Sequence, residues 1–231
     1  MEAIIYIAHG SRRQEANEKF IAFIGEVMKR SGAAVQAFGF IEHAEPTIRQ
    51  AIEECTEQGV QEITVVPVLL LPGIHSNEDI PAECKGYPNA VFYYGKPIGV
   101  DEIMVNLLYD RLSSAGFGKH ANDTVLLVGH GSREPAAAIE FERLANGLSV
   151  KIAGEVYTGY LTTSVSYQDK IKQLSEKNIY ILPYLLFSGG YTAKMEKEIS
   201  GLGARVTLCD PIGFDEKLYP LIQKRANEVW V

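Results

Sequence analysis

The sequence is short of cysteine, of long apolar runs and of clustered basic charge, and each shortage narrows what it can be. Its only cysteines are Cys55, Cys84 and Cys209. They are odd in number, far apart and form no CxxC pair, which argues against a disulfide framework or a zinc knuckle. They read as small buried thiols in a reducing cytoplasm. No window approaches the roughly 20 apolar residues that a bilayer crossing requires. The opening MEAIIYIAHGSRR has only a brief apolar stretch before His9. It lacks a basic n-region and a small-residue cleavage site, so it reads as a buried strand and not as a signal peptide. The formal net charge is -7, which excludes a broad nucleic-acid surface. Any anionic ligand would have to meet a local basic patch against a mildly repulsive field. Neither GxGxxG nor GxxxxGK[ST] occurs, so a phosphate-site α/β enzyme has little support.

What is present is an α/β pattern. Hydrophobic residues make up 46% and charged residues 22% of the 231 residues, the balance of a globular protein with one large or two small domains. Continuous apolar runs at Ile4–Ile7, Val35–Phe40, Ile63–Leu70 and Val91–Tyr94 predict strands buried on both faces of a parallel sheet. A second series falls at Val125–Val128, Val156–Tyr160, Ile179–Leu186 and Val206–Leu208. Helical spacing of apolar residues over Glu15–Arg30, Thr47–Gln58 and Ile103–Leu112 supplies the connections expected of βαβ units.

The two series are copies of each other. His9-Gly10-Ser11-Arg12 recurs as His130-Gly131-Ser132-Arg133, and Phe38-Gly39-Phe40 parallels Thr158-Gly159-Tyr160. Pro67–Leu70 parallels Pro183–Leu186, and Pro97-Ile98-Gly99 recurs as Pro211-Ile212-Gly213. Ordered motifs at nearly constant spacing mean a tandem duplication. The Gly- and polar-rich stretch near Gly116–Asn122 marks the boundary, giving domains at 1–117 and 122–231. Two such domains are expected to leave a cleft between them, with ligands beyond the carboxyl ends of the strands.

Three strand ends of the first copy carry reactive side chains. His9 opens the first turn, where Gly10 permits close backbone approach, Ser11 is a candidate helix cap, and Arg12 and Arg13 are candidate carboxylate grips. Glu42 follows the second strand, and Pro46 fits the first turn of the next helix. His43 and Glu45 read as solvated loop residues. His75 follows the third strand, with Glu78 and Asp79 suited to a helix start. Two imidazoles and a carboxylate suit a first-row divalent metal, or proton acceptance near neutral pH, and each histidine also has a purely structural reading. The second copy keeps His130 but has Thr162 in place of Glu42 and Tyr191 in place of His75. One working site, in the first copy, is expected.

In these motifs the chain resembles the class II chelatases that act on sirohydrochlorin, in their two-domain bacterial form. The resemblance rests on HGSRR at 9–13, FIEHAEPTI at 40–48, VPVLLLPGIHSNEDIP at 66–81 and GKPIG at 95–99, with VGHGSRE at 128–134, LPYLLFSGG at 182–190 and DPIG at 210–213. It implies two flavodoxin-like domains, each a four-stranded parallel sheet flanked by helices. It implies ATP-independent insertion of a divalent metal into a modified tetrapyrrole: Fe2+ to give sirohaem, or Co2+ to give a cobalamin precursor. His9 and His75 would be the active-site histidines that hold the metal, and Glu42 the active-site acid. Gly10, Ser11, Arg12, Arg13 and Arg133 would meet the substrate carboxylates, with Lys194 a further candidate. The implied partners are sirohydrochlorin and the metal ion, with no organic cofactor, no nucleic acid and no membrane. The protein is expected in the cytoplasm as a monomer or weak dimer. A histidine- or cysteine-rich tail, seen in some cobalt-associated relatives, is lacking, which tilts the expectation toward iron. A cobaltochelatase and a non-catalytic metal or tetrapyrrole carrier are the competing readings.

Overall fold

Both series of apolar runs fold as the strands of parallel sheets. A computed structural model describes residues 2–163, 165–187, 189–203 and 205–229. Ser188, inside the motif at 182–190, and the last two residues of the second repeat lie outside these ranges, as does Met1.

The first sheet contains β1 (Glu2–Ala8), β2 (Val35–Phe40), β3 (Glu62–Pro67) and β4 (Val91–Tyr94), in the order β2-β1-β3-β4. All three pairings are parallel. Burial on both faces explains the unbroken apolar runs of the central strands β1 and β3; the edge strand β4 is only partly buried, with Val91 exposed, contrary to the expectation from its run. Ala3, Ile5, Ile7, Ile63 and Val65 face α2 (Ile48–Glu57) and α3 (Ile80–Cys84), whose Ile48, Ala51, Ile52, Cys55, Ile80 and Cys84 complete that core. On α1 (Gln14–Arg30), Phe20, Phe23, Ile24 and Val27 are the buried residues. Phe20 meets Phe40 at 5.3 Å between ring centroids. Each such side chain contributes about 1.5–3 kcal/mol on burial.

The second sheet repeats the plan with β5 (Asp123–Gly129), β6 (Val156–Tyr160), β7 (Asn178–Pro183) and β8 (Val206–Leu208), in the order β6-β5-β7-β8. It too is parallel throughout. Its helices are α5 (Pro135–Ile152), α6 (Tyr167–Gln173) and α7 (Gly189–Ile199). Leu126, Val128, Ile179 and Ile181 pack with Tyr167, Ile171 and Met195.

Several local expectations are corrected. β3 and β7 end at Pro67 and Pro183, short of the predicted Leu70 and Leu186. A proline has no N–H for the ladder, and the next residues, Val68 and Tyr184, donate once more to the Ile7 and Val128 carbonyls at 2.7 and 2.8 Å before the strands end. Leu69 and Leu70 instead accept from the N–H groups of Ile98 and Gly99. Pro46 is not in the first turn of α2. Thr47 is the N-cap, its hydroxyl accepting from the Gln50 N–H while the Gln50 side chain accepts from the Thr47 N–H. That reciprocal box starts the helix one residue later.

The packing units also differ from the sequence repeats. One unit comprises Met1–Gly99 and Phe214–Val231, and the other Val100–Gly213. Helix α4 (Glu102–Ser114), which ends the first repeat, belongs to the second unit, where Arg111 donates to the carbonyls of Pro211 and Ile212, both at 3.0 Å. Helix α8 (Tyr219–Asn227), which ends the second repeat, belongs to the first unit. There the Arg225 guanidinium donates twice to the Ile98 carbonyl, at 2.9 and 2.7 Å. Phe214 packs on Phe20 and Phe23 with centroids 5.6 and 5.3 Å away. Each repeat thus gives its last helix to the other's sheet and clips it there with an arginine on a Pro-Ile-Gly carbonyl. Duplicated cores offer equivalent faces, so a repeat boundary does not reveal on which copy a helix packs.

Candidate metal centre

The site begins with a turn that only glycine can make. After β1, the ladder to β2 continues past both strands: the Ile41 N–H donates to the Ala8 carbonyl at 2.9 Å, and the Glu42 N–H to the His9 carbonyl at 3.0 Å. Gly10 has φ +90, and a Cβ placed on it would lie 1.9 Å from the Glu42 carbonyl oxygen. Both the left-handed backbone and the lack of space require glycine. The turn is therefore seated on the Glu42 backbone, and His9 and Glu42 become neighbours.

Ser11 caps this turn and not the helix: its hydroxyl accepts from the Arg13 N–H at 3.2 Å, while Arg13 is the N-cap residue of α1. Asn17, buried on α1, locks the turn from behind. It accepts from the Ser11 N–H at 2.9 Å and donates to the Ser11 carbonyl at 2.7 Å. Asn17 was not legible as a site residue. The available signal was a polar residue on the apolar face of α1, one that the second repeat replaces with Ala138.

Three of the predicted residues converge. His9 Nε2 lies 3.4 Å from Glu42 Oε1. The rings of His9 and His75 meet edge-on, with centroids 4.9 Å apart and an interplanar angle of 86°. Their side chains and that of Glu42 remain 40–44% exposed, so the group is open to a ligand. Two residues taken from sequence as loop or helix-start charges join them. His43, held at φ 64, brings Nε2 to 3.2 Å from Glu42 Oε1. Asp79 Oδ2 lies 2.7 Å from His75 Nδ1.

A carbonyl only accepts, so the 3.2 Å contact of His9 Nδ1 with the Gly10 carbonyl favours the tautomer with the proton on Nδ1. His9 Nε2 then carries the lone pair. Burial holds the His9 pKa below its ordinary 6.5; the Gly10 bond and Glu42 pull it up, and His75 and His43 push it down. A neutral imidazole at neutral pH is the form that binds metals and accepts protons. Among the described residues no group of three histidine, cysteine or carboxylate side chains is arranged to hold a metal ion. The arrangement is a pair of imidazoles with a carboxylate alongside.

The basic candidates are spread over both units. Arg12 and Arg13 are exposed on the turn beside His9. Arg133 is exposed on the equivalent turn of the second unit, and the Lys194 ammonium lies 3.7 Å from Glu198 one helical turn away.

That second unit keeps the frame and His130, and replaces the other two side chains. Gly131 has φ +102, and the Thr162 N–H donates to the His130 carbonyl at 3.1 Å, as Glu42 does to His9. Tyr191 stands where His75 stands, edge-on to His130 at 5.2 Å and 87°. His130 Nδ1 lies 3.3 Å from the Gly131 carbonyl, so its Nε2 is the acceptor, and the Tyr191 hydroxyl sits on it at 3.0 Å.

Known proteins match both repeats. The model of the CbiX family matches residues 3–115 and 124–229, once over each repeat. The chain is 36% identical to a sirohydrochlorin ferrochelatase of Priestia megaterium, over 98% of this chain and 90% of that one. It is 30% identical to a sirohydrochlorin cobaltochelatase of the same organism, over 99% of this chain and 80% of that one. SirB from Bacillus subtilis, solved with Fe3+, superposes with a TM-score of 0.90 at 34% identity, covering 98% of this chain and 94% of that one. Two sheets of the same order, the same glycine turn after each first strand and a family match over each repeat have one reading: the chain belongs to the CbiX family and carries two copies of its domain.

Proposed function

We propose that the protein is a sirohydrochlorin ferrochelatase, an ATP-independent lyase that inserts Fe2+ into sirohydrochlorin to give sirohaem. The observation that carries this reading is the edge-on pair His9–His75, 4.9 Å between centroids, beside the Glu42 carboxylate. Two imidazoles bound to one ion at about 2.1 Å place their centroids roughly 5 Å apart when the nitrogen–metal–nitrogen angle is near a right angle.

Metal insertion needs a weakly held ion, a macrocycle beside it and a sink for two pyrrolic protons. His9 and His75 hold the ion by two nitrogens and leave its other positions to water and then to the ring nitrogens. A fuller ligand set would trap the metal. Glu42, against His9, accepts one pyrrolic proton and solvent water takes the second as the ring nitrogens turn to the metal; a positioned transfer of this kind contributes on the order of 10²–10⁴-fold in rate. Gly10, Ser11, Arg12 and Arg13 line the turn that meets the substrate carboxylates; Arg133, on the equivalent turn of the second repeat, is a further candidate for them. Exposed pairs of this kind are each worth about 0–1 kcal/mol, so they orient the ring jointly. Among the described residues no helix is long and apolar enough to cross a membrane. The three free, buried cysteines suit a reducing cytoplasm, where we place the protein as a monomer or weak dimer.

Iron is favoured over cobalt because the chain is 36% identical to the Priestia megaterium ferrochelatase and 30% identical to the cobaltochelatase of that organism. Stopped-flow absorbance of sirohydrochlorin under anaerobic conditions, with Fe2+ and Co2+ in parallel, tests the reading. Turnover well above the protein-free rate, faster with Fe2+, is expected. Faster turnover with Co2+ would favour the cobaltochelatase, and metallation no faster than without protein would favour a carrier.

A further inference from the structure

The Asp79 carboxylate has a role that its position in sequence disguises. It lies four residues after His75 inside a π-helical turn, His75–Asp79, in which the Ile80 N–H donates five residues back to the His75 carbonyl. The turn is fixed at its start: the Gly73 N–H donates to the Ser76 hydroxyl, which donates to the Gly73 carbonyl, both at 3.0 Å, and Ser76 is buried. On this frame Asp79 Oδ2 reaches His75 Nδ1 at 2.7 Å. π-Helical turns are rare and tend to mark functional sites. A carboxylate oxygen accepts, so Nδ1–H donates to it and the lone pair stays on Nε2.

We propose that Asp79 is the positioning residue of the metal centre, fixing His75 in the Nδ1–H tautomer and in the rotation that gives Nε2 to the metal. The proposal rests on the reading of His75 as a metal ligand. The duplication supplies a second, independent observation. At the matching positions of the second repeat His75 is replaced by Tyr191 and Asp79 by Met195, which is buried in the core. Where the imidazole is gone, the carboxylate behind it is gone as well, while the histidine that takes its partner from the Gly131 backbone is kept. A surface ion pair with no role beyond helix charge would have no reason to change together with the ring. Hydrogen-bonded carboxylates behind metal-binding histidines hold tautomer and orientation, and losing one costs about 10–100-fold in metal affinity.

Co2+ titration of the full chain, without tetrapyrrole, tests this through both affinity and the visible spectrum of the bound ion. Asp79→Ala is expected to weaken binding by about 10–100-fold and to alter the spectrum. Asp79→Asn, whose amide oxygen can still accept from Nδ1, is expected to stay near wild type in both. In the His75→Ala background, adding Asp79→Ala is expected to cost nothing beyond about two-fold, because the carboxylate acts through the ring. Wild-type binding by Asp79→Ala beside a weak His75→Ala, or a full Asp79 effect without His75, would overturn the role of Asp79 alone. His75→Ala binding as tightly as wild type would overturn the ligand reading, and this role with it.

Discussion

The Tyr191 hydroxyl lies 3.0 Å from His130 Nε2, on the nitrogen whose counterpart in the first repeat faces Glu42. A neutral imidazole with Nδ1 protonated has one acceptor, and here it is taken. Thr162, in place of Glu42, turns its hydroxyl back to the His130 carbonyl at 2.7 Å. One Co2+ per chain is therefore expected in equilibrium dialysis, unchanged in His130→Ala. Two ions per wild-type chain, falling to one in His130→Ala, would mean that the second repeat also binds.

Gly10→Ala forces a side chain into a left-handed backbone and onto the Glu42 carbonyl. A shift of that turn costs about 2–4 kcal/mol, from backbone strain and overpacking together. A large drop in thermal midpoint with loss of metallation is expected. Gly131→Ala meets the side chains of Thr162 and Thr163 and not backbone, and should be milder in both measurements. Equal effects would mean that the turn does not depend on the Glu42 contact.

Asn17→Ala removes two hydrogen bonds from the Ser11 backbone in a buried place. A loss of about 1–3 kcal/mol by chemical denaturation is expected, with the Ser11 amide exchanging faster with solvent. The substitution installs what the second repeat already has at Ala138, so folding should survive. No change in amide exchange would show that Asn17 does not hold the turn.

His9 gives a pH signature whose sign is fixed. Its folded pKa is depressed below 6.5, chiefly by burial and further by His75. As pH falls below 6.5 the unfolded chain takes up a proton that the folded chain resists, so this group's contribution reduces stability down to the folded pKa and is absent above 6.5. NMR titration should place the His9 midpoint below 6.5 and move it upward in His75→Ala, where both a like charge and part of the burial are lost. A wild-type midpoint at or above 6.5 would contradict the burial argument.

The architecture was legible because the central strands of each sheet are covered on both faces, which writes them as unbroken apolar runs, and because duplication writes everything twice. His9, Glu42 and His75 were legible because strand ends are where such sheets bind ligands. Asn17, His43 and Asp79 were not. Asn17 acts through a turn six residues away, and His43 depends on a left-handed backbone that no local pattern announces. Asp79 depends on a π-helical turn in a segment whose acids suit an ordinary helix start equally well. The exchange of α4 and α8 was hidden by the duplication itself, since each arginine clip finds the same Pro-Ile-Gly carbonyl in either repeat.

The central claim is a single working site in the first repeat. The most direct test is anaerobic Fe2+ insertion into sirohydrochlorin by wild type, His75→Ala and His130→Ala, followed by absorbance. Catalysis should fall by on the order of 100-fold or more in His75→Ala, as for loss of a metal-centre residue, and stay within about two-fold of wild type in His130→Ala, as for a site apart from the chemistry. Equal losses in the two variants would contradict the claim and bring the second repeat into the reaction.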